Sequence, residues 1–172
     1  VGDAPSISAS FVASDGSIQW TTTSIAPLAN LQGVAFGAGV FAAVGNGGVI
    51  LSSPDGVTWT PQGSPTGANL NAVAFGNGRF VAAADGGAVL TSTDGASWSA
   101  QPTGSGANLN GIGFGDGKFL AVGDGGVALV SSDGIAWTAV ATGSTQALRA
   151  AAFGYGLWLA VGDAGTILTS PD

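Results

Sequence analysis

The sequence predicts an all-β fold, a β-propeller of four four-stranded blades, from four series of residues that share one spacing. Leu31, Leu70, Leu109 and Leu148 recur at intervals of 39 residues. Phe36, Phe75, Phe114 and Phe153 keep the same interval, as do Phe41, Phe80, Phe119 and Trp158. A last series is Trp20, Trp59, Trp98 and Trp137. A fixed period of this length marks a repeat architecture.

Within one repeat the pattern is four short strands. In residues 69–102 the first apolar run is Asn69 to Phe75, followed by the turn Gly76-Asn77-Gly78. Phe80 to Ala84 is the second strand. Asp85-Gly86-Gly87 is a tight turn, because φ > 0 is cheap for Gly and tolerable for Asp. Ala88 to Ser92 is the third strand, Asp94-Gly95 the next turn, and Trp98 to Gln101 the fourth strand. Four antiparallel strands in about 40 residues describe a propeller blade. No apolar 3.6-residue period survives between the turns, so helices are not expected.

The third turn resembles the Asp-box, or BNR repeat, of sialidase-like propellers, which runs Ser-x-Asp-x-Gly-x-x-Trp. The matching segments are Ser53-Pro54-Asp55-Gly56-Val57-Thr58-Trp59, Ser92-Thr93-Asp94-Gly95-Ala96-Ser97-Trp98 and Ser131-Ser132-Asp133-Gly134-Ile135-Ala136-Trp137. Each lacks the residue between Asp and Gly, so the likeness is to a shortened box. Asp15 opens a first box with one residue more before Trp20, and Asp172 begins a last one. The resemblance covers nearly the whole chain as repeat grammar and implies fold rather than activity. Physically, the Asp carboxylate accepts backbone N–H bonds across the turn. The Trp covers the hairpin and is expected to be largely buried. Asp15, Asp55, Asp94, Asp133, Asp172 and the four Trp residues are thus read as structural anchors.

Residues 17–172 number 156, four repeats of 39. The last repeat stops inside its box, and the strand it lacks has a counterpart from Ser17 to Thr23 around Trp20. The N-terminal strand is therefore expected to complete the last blade. Residues 1–16 form a surplus arm in which Ile7, Phe11 and Val12 can be buried. The arm reads as a connector to a neighbouring chain or as a tail.

Composition excludes several functions. Net charge is −7 with only Arg79, Lys118 and Arg149 as cations, so no surface tracks phosphates and nucleic acid is not an expected partner. There is no Cys, His or Glu, which removes thiolate chemistry and the commonest general base. Sialidases of the resembling family use three arginines and a Tyr nucleophile. This chain has two Arg, in different parts of their repeats, and one Tyr, Tyr155, in a Gly-rich turn. No catalytic residue and no cofactor are expected. No apolar run is long enough to span a bilayer. Few charges, no Cys, many small residues and a start at Val1 suit an extracellular protein.

One polar series is a candidate ring on the loop face: Asn46, Asp85, Asp124 and Asp163, each between second and third strands. Carboxylates so arranged suit a hard cation such as Ca²⁺; they equally suit hairpin turns before Gly. The loops Pro65 to Asn69 and Thr103 to Asn108 share that face. Two functions remain open. One is a structural, self-associating propeller, whose partners are copies of itself, joined as a fibre or as two chains pooling their blades into one eight-bladed ring. The other is a monomeric module that binds a glycan or a protein on its loops.

Overall fold

The computed structural model describes residue 22 and residues 29–171. Blade 1 comprises β1 (Leu31–Gly37), β2 (Val40–Gly45), β3 (Ile50–Ser53) and β4 (Thr60–Gln62). Blade 2 comprises β5 (Leu70–Gly76), β6 (Arg79–Ala84), β7 (Val89–Ser92) and β8 (Ser99–Gln101). Blade 3 comprises β9 (Leu109–Gly115), β10 (Lys118–Gly123), β11 (Ala128–Ser131) and β12 (Thr138–Val140). Blade 4 has β13 (Leu148–Gly154), β14 (Leu157–Gly162) and β15 (Ile167–Ser170) among the described residues. Strands follow chain order in every sheet and pair antiparallel. The strand expected around Trp20 to complete blade 4 lies outside the described residues, as do Asp15, Asp172 and the arm residues Ile7, Phe11 and Val12.

Two local devices repeat in each blade. The first hairpin closes by two residues, such as Asn77 (φ 46°) and Gly78 (φ 71°), between the paired Gly76 and Arg79. Both central residues take positive φ, the geometry that matches the right-handed twist of the strands. The second device is a bulge in the first strand. In blade 2 Leu70 pairs with Ala84 and Ala72 with Ala83, so Asn71 is the extra residue. Gln32, Asn110 and Arg149 hold the same position in the other blades.

The core lies between blades rather than within them. Ala42, Val44 and Ile50 of blade 1 meet Leu70, Phe80, Ala82 and Leu90 of blade 2. Val81, Ala83 and Val89 of blade 2 meet Leu109, Phe119, Ala121 and Leu129 of blade 3. Leu120, Val122 and Ala128 of blade 3 meet Leu148, Trp158 and Ala160 of blade 4. Each junction thus uses the same positions shifted by one repeat. The first strands pack in succession, β1 on β5, β5 on β9 and β9 on β13. Among the described residues no comparable packing joins β13 back to β1. Among the described residues the stack is open between blade 4 and blade 1.

Candidate functional site

The three described Asp-box turns are built alike. Asp94 Oδ1 accepts N–H bonds from Ala96 and Ser97 at 2.8 and 2.7 Å. The buried Ser92 donates its hydroxyl to the same carboxylate and accepts the Gly95 N–H. Trp98 Nε1 donates to Gly95 O at 3.1 Å. Asp55 accepts from Val57 and Thr58, and Asp133 from Ile135 and Ala136. Hydrogen bonds to the ionised form favour it. The backbone N–H groups of Thr58 and Val57 hold the Asp55 carboxyl at about 2. Those of Ser97 and Ala96 hold Asp94 at about 2. Asp133 is lowered by Ala136 and Ile135 in the same way.

These shifts predict acid sensitivity. A carboxyl with a depressed folded value contributes stability that is present above its unfolded value, near 3.8, and lost as pH falls through the folded value. Melting temperature is therefore expected to be level near neutral pH and to drop between pH about 4 and about 2. Asp94→Asn keeps an acceptor but no charge, so its curve should be flatter in that window. Thermal melts of both proteins across that pH range check this.

Trp98 is buried, whereas Trp59 and Trp137 are half-buried. Burial is therefore not uniform along the Trp series. Trp59 sits on the open side of blade 1, beside Leu31, Val34 and Ala43.

The loop face carries a network that the bulges create. A bulge re-aims one side chain out of the ladder, and here it points each time at the next turn. Asn71 Nδ2 donates to Asp85 Oδ1 at 2.8 Å and, across the junction, to Leu109 O at 2.9 Å. Asn69 Nδ2 donates to Asp85 Oδ2, while its Oδ1 accepts the Gly47 N–H of blade 1 at 3.0 Å. Asn110 and Asn108 treat Asp124 the same way, and Asn108 Oδ1 accepts the Gly86 N–H. Gln32 Nε2 donates to Asn46 Oδ1. Arg149 makes two parallel bonds to Asp163, at 2.9 and 2.7 Å, and its third nitrogen stands 3.6 Å from Asp124. The Arg149 guanidinium lowers the Asp163 carboxyl. The candidate ring of Asn46, Asp85, Asp124 and Asp163 is therefore a set of acceptors already engaged by amides and one guanidinium. Among the described residues no three carboxylates converge on a common point. The partners of the ring went unnoticed in the sequence, although Gln32, Asn71, Asn110 and Arg149 recur at 39-residue spacing in otherwise apolar strands.

The largest anomaly is apolar. Leu70, Leu109 and Leu148 are 0% exposed, but Leu31, the first of their series, is 50% exposed. Ile50 and Val89 are 1% and 0% exposed, but Ile167, the last of theirs, is 67% exposed. Val34 and Phe36 in blade 1, and Leu157, Leu159 and Val161 in blade 4, are exposed as well. Blade 4 thus presents one half of the interface that is closed at the three internal junctions, whereas blade 1 exposes the other half only along its first strand, because Ala43 and Leu51, the counterparts of Ala82 and Leu90, are 4% and 1% exposed.

This fold is a β-propeller, and solved structures agree. One similar structure is YCF48 bound to D1 peptide, at 19% identity and a TM-score of 0.64, covering 87% of this chain and 53% of that one. The Neurospora crassa Pan2 WD40 domain is similar at 15% identity and a TM-score of 0.64, over 95% of this chain and 56% of that one. The computationally designed Ika4 protein is similar at 13% identity and a TM-score of 0.66, over 83% of this chain and 91% of that one. The chain spans about half the length of the YCF48 and Pan2 chains it matches. No protein-family model matches it, and no curated protein matches it in sequence.

Proposed function

We propose that this chain is a non-catalytic, extracellular structural β-propeller that associates with copies of itself through the open faces of blades 1 and 4. The observation that carries this reading is the pair of apolar end faces. Exposed Leu31, Val34 and Phe36 on one end and exposed Leu157, Leu159, Val161 and Ile167 on the other are unusual for a free surface and mark an interaction site. The Asp-box likeness supports a structural role for the turns, since the carboxylates of Asp55, Asp94 and Asp133 are consumed by backbone N–H groups. Low charge and the lack of Cys and His support a location outside the cell and the absence of catalysis. On the same reading the strand Ser17 to Thr23 completes the open sheet edge at β15 of another copy.

The test is mass in solution across a range of concentrations. Assemblies of two or more chains are expected, and a species of 16.4 kDa at every concentration would contradict the reading. Turnover of a glycoside would contradict its non-catalytic part.

A second reading is a monomeric protein-binding module, for which the peptide held by the similar YCF48 structure is the supporting observation. It predicts a single-chain mass and a peptide or glycan titration centred on the polar loops around Thr66 and Ser105.

A further inference from the structure

Each internal junction is closed by one ring over one glycine. The Phe75 ring of blade 2 covers Gly37 of blade 1, Phe114 covers Gly76, and Phe153 covers Gly115. A Cβ on any of these glycines would overlap the ring, so the approach of the next blade is what demands Gly there. Gly154 is the fourth member of this series, and no described residue lies within 4 Å of where its Cβ would stand. Its φ is not in the left-handed region. Neither backbone conformation nor any described neighbour within the chain accounts for a glycine at 154. Phe36, the first member of the ring series, is 58% exposed. One end of the stack therefore carries the seat without a ring, and the other carries the ring without a seat.

A polar series runs in register with it. Gly47 N–H donates to Asn69 Oδ1, and Gly86 N–H donates to Asn108 Oδ1, each from one blade to the next. One repeat beyond blade 4, the same offset pairs the Ala164 N–H with Asn30. The apolar halves match as well. Leu159, Val161 and Ile167 stand where Ala42, Val44 and Ile50 close the first junction, and Leu31 stands where Leu70 does.

We infer that the missing blade at each end is supplied by a second copy of this chain: blade 1 of one copy docks on blade 4 of the other, with Phe36 seated over Gly154. This rests on the self-association reading above and specifies its partner and geometry. The contact is head to tail, so it is made twice and closes two four-blade stacks into one ring of eight. The occupant is a copy because the docking surface is the chain's own internal interface continued by one repeat.

Three proteins test this by light scattering after size separation, with circular dichroism to confirm folding: the parent, Gly154→Leu and Phe36→Ala. The parent is expected at twice 16.4 kDa. Both variants are expected at the single-chain mass with an unchanged β spectrum, since among the described residues neither site is covered by another blade of its own chain. Loss of a central buried anchor should raise the dissociation constant at least about 30-fold. A two-chain parent whose Gly154→Leu form stays two-chain overturns this docking and leaves self-association standing. A parent that grows beyond two chains with concentration overturns ring closure. A single-chain parent overturns both this inference and the reading beneath it.

Discussion

Replacing Phe80 with Ala should destabilise the protein by about 3 to 5 kcal/mol. The ring is 0% exposed and sits at the first internal junction. It lies edge-on to Phe75 with centroids 4.7 Å apart and meets Trp98 at 6.1 Å. Truncation would remove both aromatic contacts and leave a cavity bounded by two blades, which rigid β-strands on either side cannot collapse to fill. Because blade cores lie between sheets, the loss uncouples blade 1 from blade 2 rather than softening one sheet. Denaturant unfolding followed by tryptophan fluorescence checks the magnitude. A midpoint unchanged at equal slope would show that the junction is not where stability resides.

The second large effect is Gly76→Val. A side chain at residue 76 would occupy the space of the Phe114 ring, which packs on β10 through Phe119 at 4.7 Å. Overpacking of a filled interior costs about 1 to 3 kcal/mol, occasionally more, and here the obstructing atoms are at the root of the ring, which cannot swing clear. A loss of about 3 kcal/mol is expected. The informative comparison is the same substitution at Gly154, which has the same place in its repeat and open space above it. Gly154→Val should leave the folding of the single chain intact. Equal damage at both positions would mean that residue 154 is already covered within its own chain.

Much of this fold was legible in the sequence. The Leu and Phe series mark the inner strands, and the turns take positive φ at Asn77-Gly78 and Gly86-Gly87, where the residues tolerate it. Strand ends agree closely: the sequence pattern places strands at Asn69 to Phe75 and Phe80 to Ala84, and the structure has them at Leu70–Gly76 and Arg79–Ala84. Two features were not legible, for physical reasons. The first is the bulge at Asn71 and its equivalents. A bulge is a register shift between strands, and a single strand's pattern does not show what it is paired with. Without the bulge, Asn71 would sit in the ladder and Asp85 would lack one of its two amide partners. The second is the open end of the stack. A repeat fixes each junction, but closure depends on the sum of small angles between successive blades. Leu31 and Leu70 are identical letters in similar surroundings, yet one is half exposed and the other sealed. Only the blade count against that curvature separates them.

A disulfide trap reports whether blade 1 of one copy docks on blade 4 of another, because the chain has no native cysteine to interfere. Asn30 and Ala164 are the positions that continue the Gly47–Asn69 and Gly86–Asn108 bonds. An N–H to Oδ1 bond keeps the two backbones within about 7 Å, the upper end of disulfide reach. Asn30→Cys and Ala164→Cys would be placed in one chain, oxidised, and the product resolved by mass with and without reductant. A covalent species of two chains that returns to one chain on reduction is expected. An internally bridged single chain, or a ladder of ever longer products, would contradict it.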